Sequence, residues 1–233
     1  MRAAYERLTS ILSDPDECGM SALDCIYEIM ENEVQRRDSN ALARRLKEAK
    51  ICLPNARPDT IDFSIERGLD KNKIDALLTM RWMEEHQNII ITGAAGCGKT
   101  FLACALVNQA CIKGRTARVV RVPLLLNQMA ASHQIVETYF KKLKEMKTID
   151  LLVLDDWGIG QLDARSRQDL LEIINERYMY ASTIVTSVLP VNKWSEYIND
   201  TTYSDAILDR LVSVSHRVEL NGASVRQMKE YGA

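Results

Sequence analysis

The chain has 233 residues, of which 46% are hydrophobic and 27% charged, so it is long enough for one medium domain and a small additional unit. Its net charge of −2 gives no overall signal for nucleic-acid binding, and no apolar run approaches the length that spans a membrane. The first residues lack the apolar segment and cleavage site of a signal peptide, and the six cysteines show no C-x-x-C spacing. We therefore expect a cytoplasmic protein whose cysteines are reduced and serve as small apolar side chains.

The N-terminal region is predicted to be helical. Apolar residues recur at helical spacing over residues 1–50, and glycine occurs there only at Gly19. Residues 51–70 contain two prolines and a glycine, and proline disfavours helix in the residue before it, so this stretch is a predicted linker. We place a helical N-terminal domain with its linker at residues 1–60 and a second domain at residues 61–233.

Short apolar runs alternate with longer helical segments in the second domain. Five runs have the length and composition of strands, at residues 88–92, 117–122, 151–156, 182–187 and 216–220. This alternation predicts an α/β fold in which helices flank a mostly parallel five-stranded sheet.

The segment GAAGCGKT matches the P-loop pattern G-x-x-x-x-G-K-[ST] and lies between a predicted strand and a predicted helix. Glycines let backbone N–H groups turn toward phosphate oxygens, the lysine reaches the β- and γ-phosphates, and the threonine ligates Mg2+. A chance glycine-rich turn would lack this strand and helix. The sequence thus predicts a nucleotide site formed by Gly93, Ala94, Ala95, Gly96, Cys97, Gly98, Lys99 and Thr100.

Two adjacent carboxylates follow the buried run LLVL. Asp155 emerges at the carboxyl end of this strand, where we expect it to hold Mg2+ together with Thr100. Asp156 is expected to activate the attacking water, which favours hydrolysis over binding alone. An isolated pair of aspartates is more often solvated or caps a helix, but a preceding P-loop favours the catalytic interpretation.

ATP is the expected nucleotide. The tetrapeptide NKWS begins like the guanine-reading N-K-x-D pattern, but Ser195 stands where a carboxylate would have to accept hydrogen bonds from guanine. A metabolite kinase is another P-loop possibility. It requires a second substrate pocket under an arginine-bearing lid, and the sequence shows no such insertion.

Several segments together resemble one family. GAAGCGKTFLACAL, IDLLVLDDWG, DLLEIINERY and DAILDRLV are similar to the IstB family of ATP-dependent transposon helper proteins, which in turn resembles the DnaC helicase loaders within the AAA+ ATPases. The resemblance is close over residues 63–226. It implies an AAA+ P-loop core and a homo-oligomer, either a ring or a helix, on double-stranded target DNA. It further implies DNA remodelling, recruitment of an IstA-type transposase, and ATPase activity stimulated by DNA and oligomerisation.

The resemblance also implies roles for individual residues. Thr186 and Ser187 match the polar sensor position at the end of the fourth core strand, and we select Ser187. Arg210 matches the arginine that acts on the neighbouring subunit's ATP, and Arg226 the sensor arginine that contacts nucleotide in its own subunit. An ordinary surface ion pair is the alternative for each arginine. The expected catalytic set is Lys99, Asp155, Asp156, Ser187 and Arg210.

Two positions depart from the family pattern. Val188 replaces the glutamine of TSQLP beside the sensor strand, which predicts slower hydrolysis. Leu124 replaces the arginine of VPRLL, which predicts weaker contact with DNA.

The best local basic patch lies in residues 33–50, which contain six basic and three acidic side chains. On a helix, four of the basic residues fall within an arc of about 100°, opposite Leu42 and Leu46. A solvated charged face is the alternative, and the family resemblance favours DNA. The predicted DNA contacts are Arg36, Arg37, Arg44, Arg45 and Lys47, with Lys141 and Lys142 as a second candidate.

A replicative helicase loader of the DnaC type is the alternative function. It would bind a helicase and prefer single-stranded DNA, whereas the sequence shows no series of aromatic residues for stacking bases. The segments DDWG and DAILDRLV favour the transposition helper.

Overall fold

The computed structural model describes residues 2–13 and 21–222. Its helices are α1 (Arg2–Ser13), α2 (Ala22–Glu48), α3 (Lys71–Leu78), α4 (Arg81–Glu84), α5 (Lys99–Ile112), α6 (Val122–Ser132), α7 (Val136–Thr148), α8 (Ala164–Arg177), α9 (Trp194–Ile198) and α10 (Thr201–Val212). Its strands are β1 (Asn88–Gly93), β2 (Ala117–Arg121), β3 (Leu151–Trp157), β4 (Ser182–Ser187) and β5 (Ser215–Leu220). Short 3-10 helices cover Pro58–Thr60 and Val191–Lys193.

The strands form one five-stranded sheet in the order β2-β3-β4-β1-β5, in which every neighbouring pair is parallel. This confirms the predicted fold class, and each predicted strand agrees with the observed one to within one residue at either end. Because all strands run in the same direction, their carboxyl ends meet at one edge of the sheet. In open α/β sheets, ligands bind at that edge.

Apolar side chains cover both faces of the sheet. Ile90, Leu152 and Val185 belong to a buried cluster with side chains of α6, α8 and α10. Since successive strand residues point to opposite faces, their neighbours point to the other side, where α5 packs on β1, β3 and β4. Trp157 and Trp194 are fully buried within the cluster, with ring centroids 5.2 Å apart.

Aspartate side chains fix the starts of several helices. The Asp70 carboxylate accepts hydrogen bonds from the backbone amides of the second and third residues of α3. Asp163 and Asp200 accept amide hydrogen bonds in the same way at the starts of α8 and α10. Such caps satisfy amides that have no partner within the helix and contribute about 1 kcal/mol each.

The chain divides into two compact units, Met1–Arg45 and Leu46–Ala233. In the first unit, Arg7 forms an ion pair with Glu28, which joins α1 to α2. In the second unit, the Val119 amide donates to the Ala49 carbonyl, so the chain after α2 lies against β2. Residues 46–60, which we grouped with the N-terminal domain, therefore pack within the same unit as the sheet.

None of the helices in residues 2–13 and 21–222 combines the length and the apolar composition needed to cross a membrane.

Candidate functional site

The P-loop occupies the carboxyl end of β1. The strand ends at Gly93, residues 94–98 form the loop, and α5 begins at Lys99. Gly93, Gly96 and Gly98 all have positive φ values, of 148°, 81° and 97°. A Cβ atom on Gly93 would come closer than 3.0 Å to the Leu220 carbonyl oxygen, so this position requires glycine.

Lys99 holds the loop in shape. Its side chain is buried, and its Nζ donates to the carbonyl oxygens of Gly93 at 2.9 Å and Ala94 at 2.7 Å. The ammonium group therefore lies inside the loop at the start of α5, where the helix also presents amides without helical partners. A cationic group and the positive end of a helix converge there, which is the arrangement that binds an anion such as phosphate.

Two hydroxyls meet one buried carboxylate beside the loop. Thr100 Oγ1 donates to Asp155 Oδ1 at 2.9 Å, and the Thr186 hydroxyl donates to the same oxygen. Asp155 is only 4% exposed. The structure thus brings the two predicted Mg2+ ligands together. Oxygen donors of this type suit Mg2+, which proteins usually hold through one or two side chains and substrate phosphates, so Thr100 and Asp155 fit that ion.

Asp156 has a different environment from Asp155. Its φ of 61° lies in the left-handed region, and the pairing of β3 with β4 shifts register at this point. The bulge turns the Asp156 carboxylate toward Arg121, whose Nε lies 2.7 Å from Oδ2. This carboxylate raises the pKa of Arg121. The Asp156 amide donates to Thr186 Oγ1 at 3.3 Å, so one hydroxyl connects both aspartates.

Ser187, which we selected for the sensor position, makes other contacts. It is fully buried, and its hydroxyl donates to the Trp157 carbonyl at 2.7 Å and accepts the Leu189 amide at 3.0 Å. Its neighbour Thr186 is the residue whose hydroxyl touches Asp155. Successive strand residues point to opposite faces, which explains why only one of the two reaches the carboxylate.

A cavity of about 250 Å³ adjoins the P-loop. One wall is the segment that precedes α3, and the other is the P-loop with the first turn of α5. The lining residues are Leu53, Thr60, Asp62, Ile65, Arg67, Gly96, Gly98, Lys99, Thr100 and Phe101.

Arg67 is a residue of this cavity that the sequence reasoning missed. It is 5% exposed, and its guanidinium donates to the Cys97 carbonyl at 3.4 Å and the Asp62 carbonyl at 3.0 Å. Its Nε has no hydrogen-bond partner within the described part of the chain. A Cβ on Gly98 would lie 2.5 Å from Arg67 Nη1, so the guanidinium lies directly against the loop. Burial lowers the pKa of this guanidinium.

Arg210 lies far from the P-loop. It is near the end of α10, and its backbone carbonyl accepts from Asn88 Nδ2 at 3.1 Å, at the amino end of β1. Since β1 spans six residues, the two edges of the sheet are about 17 Å apart. The Arg210 guanidinium lies over the Tyr178 ring, with Cζ 5.7 Å from its centroid. The structure therefore does not bring Arg210 to the P-loop of its own chain.

The predicted DNA contacts lie on two helices, and one predicted nucleotide contact lies outside the residues that the structure describes. Arg36, Arg37, Arg44, Arg45 and Lys47 are all on α2, and each except Arg45 is exposed. Lys141 and Lys142 are on α7. Arg226 lies outside the described residues.

The comparisons with known proteins agree on one family. The profile of the IstB-like ATP binding protein family matches residues 1–233. The chain is 39% identical over 219 residues to the insertion sequence ATP-binding protein y4pL of Sinorhizobium fredii, and the alignment covers 94% of this chain and 89% of that protein.

Two solved structures show the fold of the core. A DnaC helicase loader matches with 19% identity and a TM-score of 0.60, over 72% of this chain and 98% of that one. DnaI matches with 20% identity and a TM-score of 0.61, over 78% of this chain and 98% of that one. At these identities the matches establish that the core shares the fold of these two proteins, and they show nothing about activity. By its sequence, the chain belongs to the IstB-like ATP-binding proteins.

Proposed function

We propose that this protein is an ATPase that assembles on double-stranded DNA, remodels it and recruits an IstA-type transposase. The family match supports ATP binding, and the names of the relatives place them in insertion sequences. One structural observation carries the proposal of hydrolysis between subunits. The groups suited to hold phosphate and Mg2+ lie at the carboxyl edge of the sheet, whereas Arg210 lies at the amino edge.

The carboxyl edge supplies one half of the proposed site. Lys99 and the start of α5 would bind the phosphates, and Thr100 with Asp155 would hold Mg2+, which neutralises charge on the phosphate oxygens when bound. Asp156 would orient the attacking water and accept its proton. The Thr186 hydroxyl contacts Asp155 and accepts the amide of Asp156, so it is the better candidate for the sensor.

Arg210 would supply the other half to a neighbouring copy. Its distance from its own P-loop excludes direct contact with the nucleotide that the same chain binds. A guanidinium that stabilises charge developing on the transferred phosphoryl group accelerates such reactions by about 10³ to 10⁵-fold. We therefore expect an isolated subunit to bind ATP and to hydrolyse it slowly.

A mixing experiment tests this division. Lys99→Ala removes the phosphate-binding group and Arg210→Ala the group offered to the neighbour, so each variant alone should lose turnover in the presence of duplex DNA. In a mixture, Arg210→Ala subunits bind ATP and receive Arg210 from Lys99→Ala subunits. Phosphate release should therefore reappear, up to about one quarter of the wild-type rate for random assembly of equal amounts. If the mixture stays inactive although both variants assemble, or if Arg210→Ala alone keeps wild-type turnover, the shared site is refuted.

The DNA-binding part of the proposal rests on α2, in which Arg36, Arg37, Arg44 and Lys47 are each exposed. Contacts of this kind are sequence-independent and weaken as salt concentration rises. Several copies along one duplex would multiply them. Light scattering with and without ATP and a duplex should show larger particles only when both are present. Particles that form equally well without DNA would contradict assembly on DNA.

A helicase loader remains the alternative function, since the DnaC loader has the same fold. The two functions differ in the DNA and the partner protein that they require. A transposition helper should assemble on duplex DNA and bind a transposase, whereas a loader should prefer a single strand of equal length and bind a replicative helicase.

A further inference from the structure

We infer that Cys52 and Cys104 form a reversible disulfide under oxidising conditions, and that this bond controls how fast nucleotide enters and leaves the cavity beside the P-loop. The two Sγ atoms lie 3.6 Å apart. The effect on nucleotide exchange rests on the proposed function, whereas formation of the bond does not.

The two thiols differ in access. Cys52 lies in the exposed segment that follows α2, whereas Cys104 is fully buried in α5. A disulfide requires the sulfur atoms to approach to about 2.05 Å, so they must move about 1.6 Å closer. Rotation about the Cα–Cβ bonds and a small shift of the exposed segment supply this movement, because no helix or strand holds Cys52.

The chemistry has a defined order when hydrogen peroxide is the oxidant. The Cys52 sulfur attacks the peroxide, the O–O bond breaks, and a sulfenic acid and one water form. The Cys104 sulfur then attacks the Cys52 sulfur, which forms the S–S bond and releases the hydroxyl group as a second water. Burial raises the pKa of Cys104 to about 12, against the opposing effect of a hydrogen bond from the Leu53 amide. The buried thiol therefore reacts second.

The position of the pair connects it to the nucleotide site. Cys104 lies one helical turn after Thr100 on α5, and Leu53, the neighbour of Cys52, lines the cavity at the P-loop. The disulfide would fasten one wall of this cavity to the helix that forms the other. A wall that no longer opens slows both entry and release of a ligand.

Peptide mapping tests the bond itself. Trypsin places Cys104 and Cys111 on one peptide, residues 100–113, so the measurement uses Cys111→Ser protein, in which that peptide contains a single cysteine. After mild peroxide treatment of folded protein, we expect this peptide to be linked to residues 51–67, which contain Cys52, and to separate on reduction. The bond is refuted if Cys52 is oxidised to sulfinic acid without any linked peptide while circular dichroism shows a folded protein.

Nucleotide exchange is measured separately with a fluorescent ATP analogue. Dissociation should be several-fold slower after oxidation of wild-type protein, return to the original rate with dithiothreitol, and stay unchanged in Cys52→Ser under the same treatment. Cys52→Ser retains Cys97 of the P-loop, so an oxidation effect that persists in this variant would overturn the assignment to Cys52. A linked peptide with an unchanged dissociation rate would overturn control of exchange. Failure of reduced protein to bind the analogue would refute the proposed function, and the peptide map would still decide the disulfide.

Discussion

Thr186→Val provides the sharpest test of how the candidate site works. The substitution keeps the branched shape of the side chain and removes the hydroxyl that donates to Asp155 and accepts the Asp156 amide. A hydrogen bond to a charged group contributes about 1.5–3 kcal/mol. If this energy positions the carboxylate during hydrolysis, turnover should fall by about 10 to 150-fold. ATP binding measured without Mg2+ should change little, because the hydroxyl contacts the Asp155 carboxylate and the Asp156 amide and not the P-loop.

Ser187→Ala is the matched control. Its hydroxyl is equally buried, but within residues 2–13 and 21–222 it bonds only to backbone groups, the Trp157 carbonyl and the Leu189 amide. Neutral bonds of this kind contribute about 0.5–1.5 kcal/mol, so this variant should lose stability and keep turnover within about tenfold of wild type. Phosphate release at saturating ATP and duplex DNA gives turnover, and urea unfolding gives stability. The reasoning is refuted if folded Ser187→Ala loses more turnover than folded Thr186→Val.

Other substitutions test the fold and the DNA surface. Gly93→Ala should lower the free energy of unfolding, measured in urea, by several kcal/mol, because its Cβ would meet the Leu220 carbonyl. In Gly160→Ala the Cβ would meet no atom within 4 Å, so this variant should lose only the roughly 1–2 kcal/mol that a positive φ costs a residue with a side chain. Arg177→Met should destabilise by about 3 kcal/mol or more, since the buried guanidinium donates to three backbone carbonyls. The double variant Arg36→Gln, Lys47→Gln should reduce the magnitude of the slope of log affinity against log salt concentration by about 2. Fluorescence anisotropy with duplex DNA measures this slope. An unchanged slope would exclude contact between these two side chains and the DNA.

The architecture was predictable because its signals are local. The apolar runs that became β1 to β5 are rich in Ile, Val and Leu, and the P-loop pattern fixes the junction of β1 and α5 in both sequence and structure. The glycines of the loop have the positive φ values that their pattern implied. Such features can be predicted from the spacing of residues in the sequence, because each depends on residues that lie within about one helical turn or one strand of each other.

The contacts that were missed depend on long-range geometry. Thr186 and Ser187 are adjacent hydroxyl residues, and which of them faces Asp155 depends on the register between β3 and β4, in which Leu154 pairs with Val185 and which no sequence pattern marked. Arg67 reaches the P-loop across 30 positions in the chain, so neither spacing nor periodicity connected it with Cys97. Its isolated position in a linker gave no signal of burial.

The order of the strands explains why a single subunit would have only half of the proposed site. A parallel sheet brings the carboxyl ends of β1, β3 and β4 to one edge, where Lys99 lies within the P-loop and Thr186 contacts Asp155. The helix that precedes β5 must end at the opposite edge, because β5 starts there in parallel with β1. Arg210 is near the end of that helix, so the same topology that gathers the phosphate-binding groups carries this arginine about 17 Å away from them. Hydrolysis that required both groups would therefore be limited to assembled copies, which would tie ATP turnover to the proposed assembly on DNA without a separate control element.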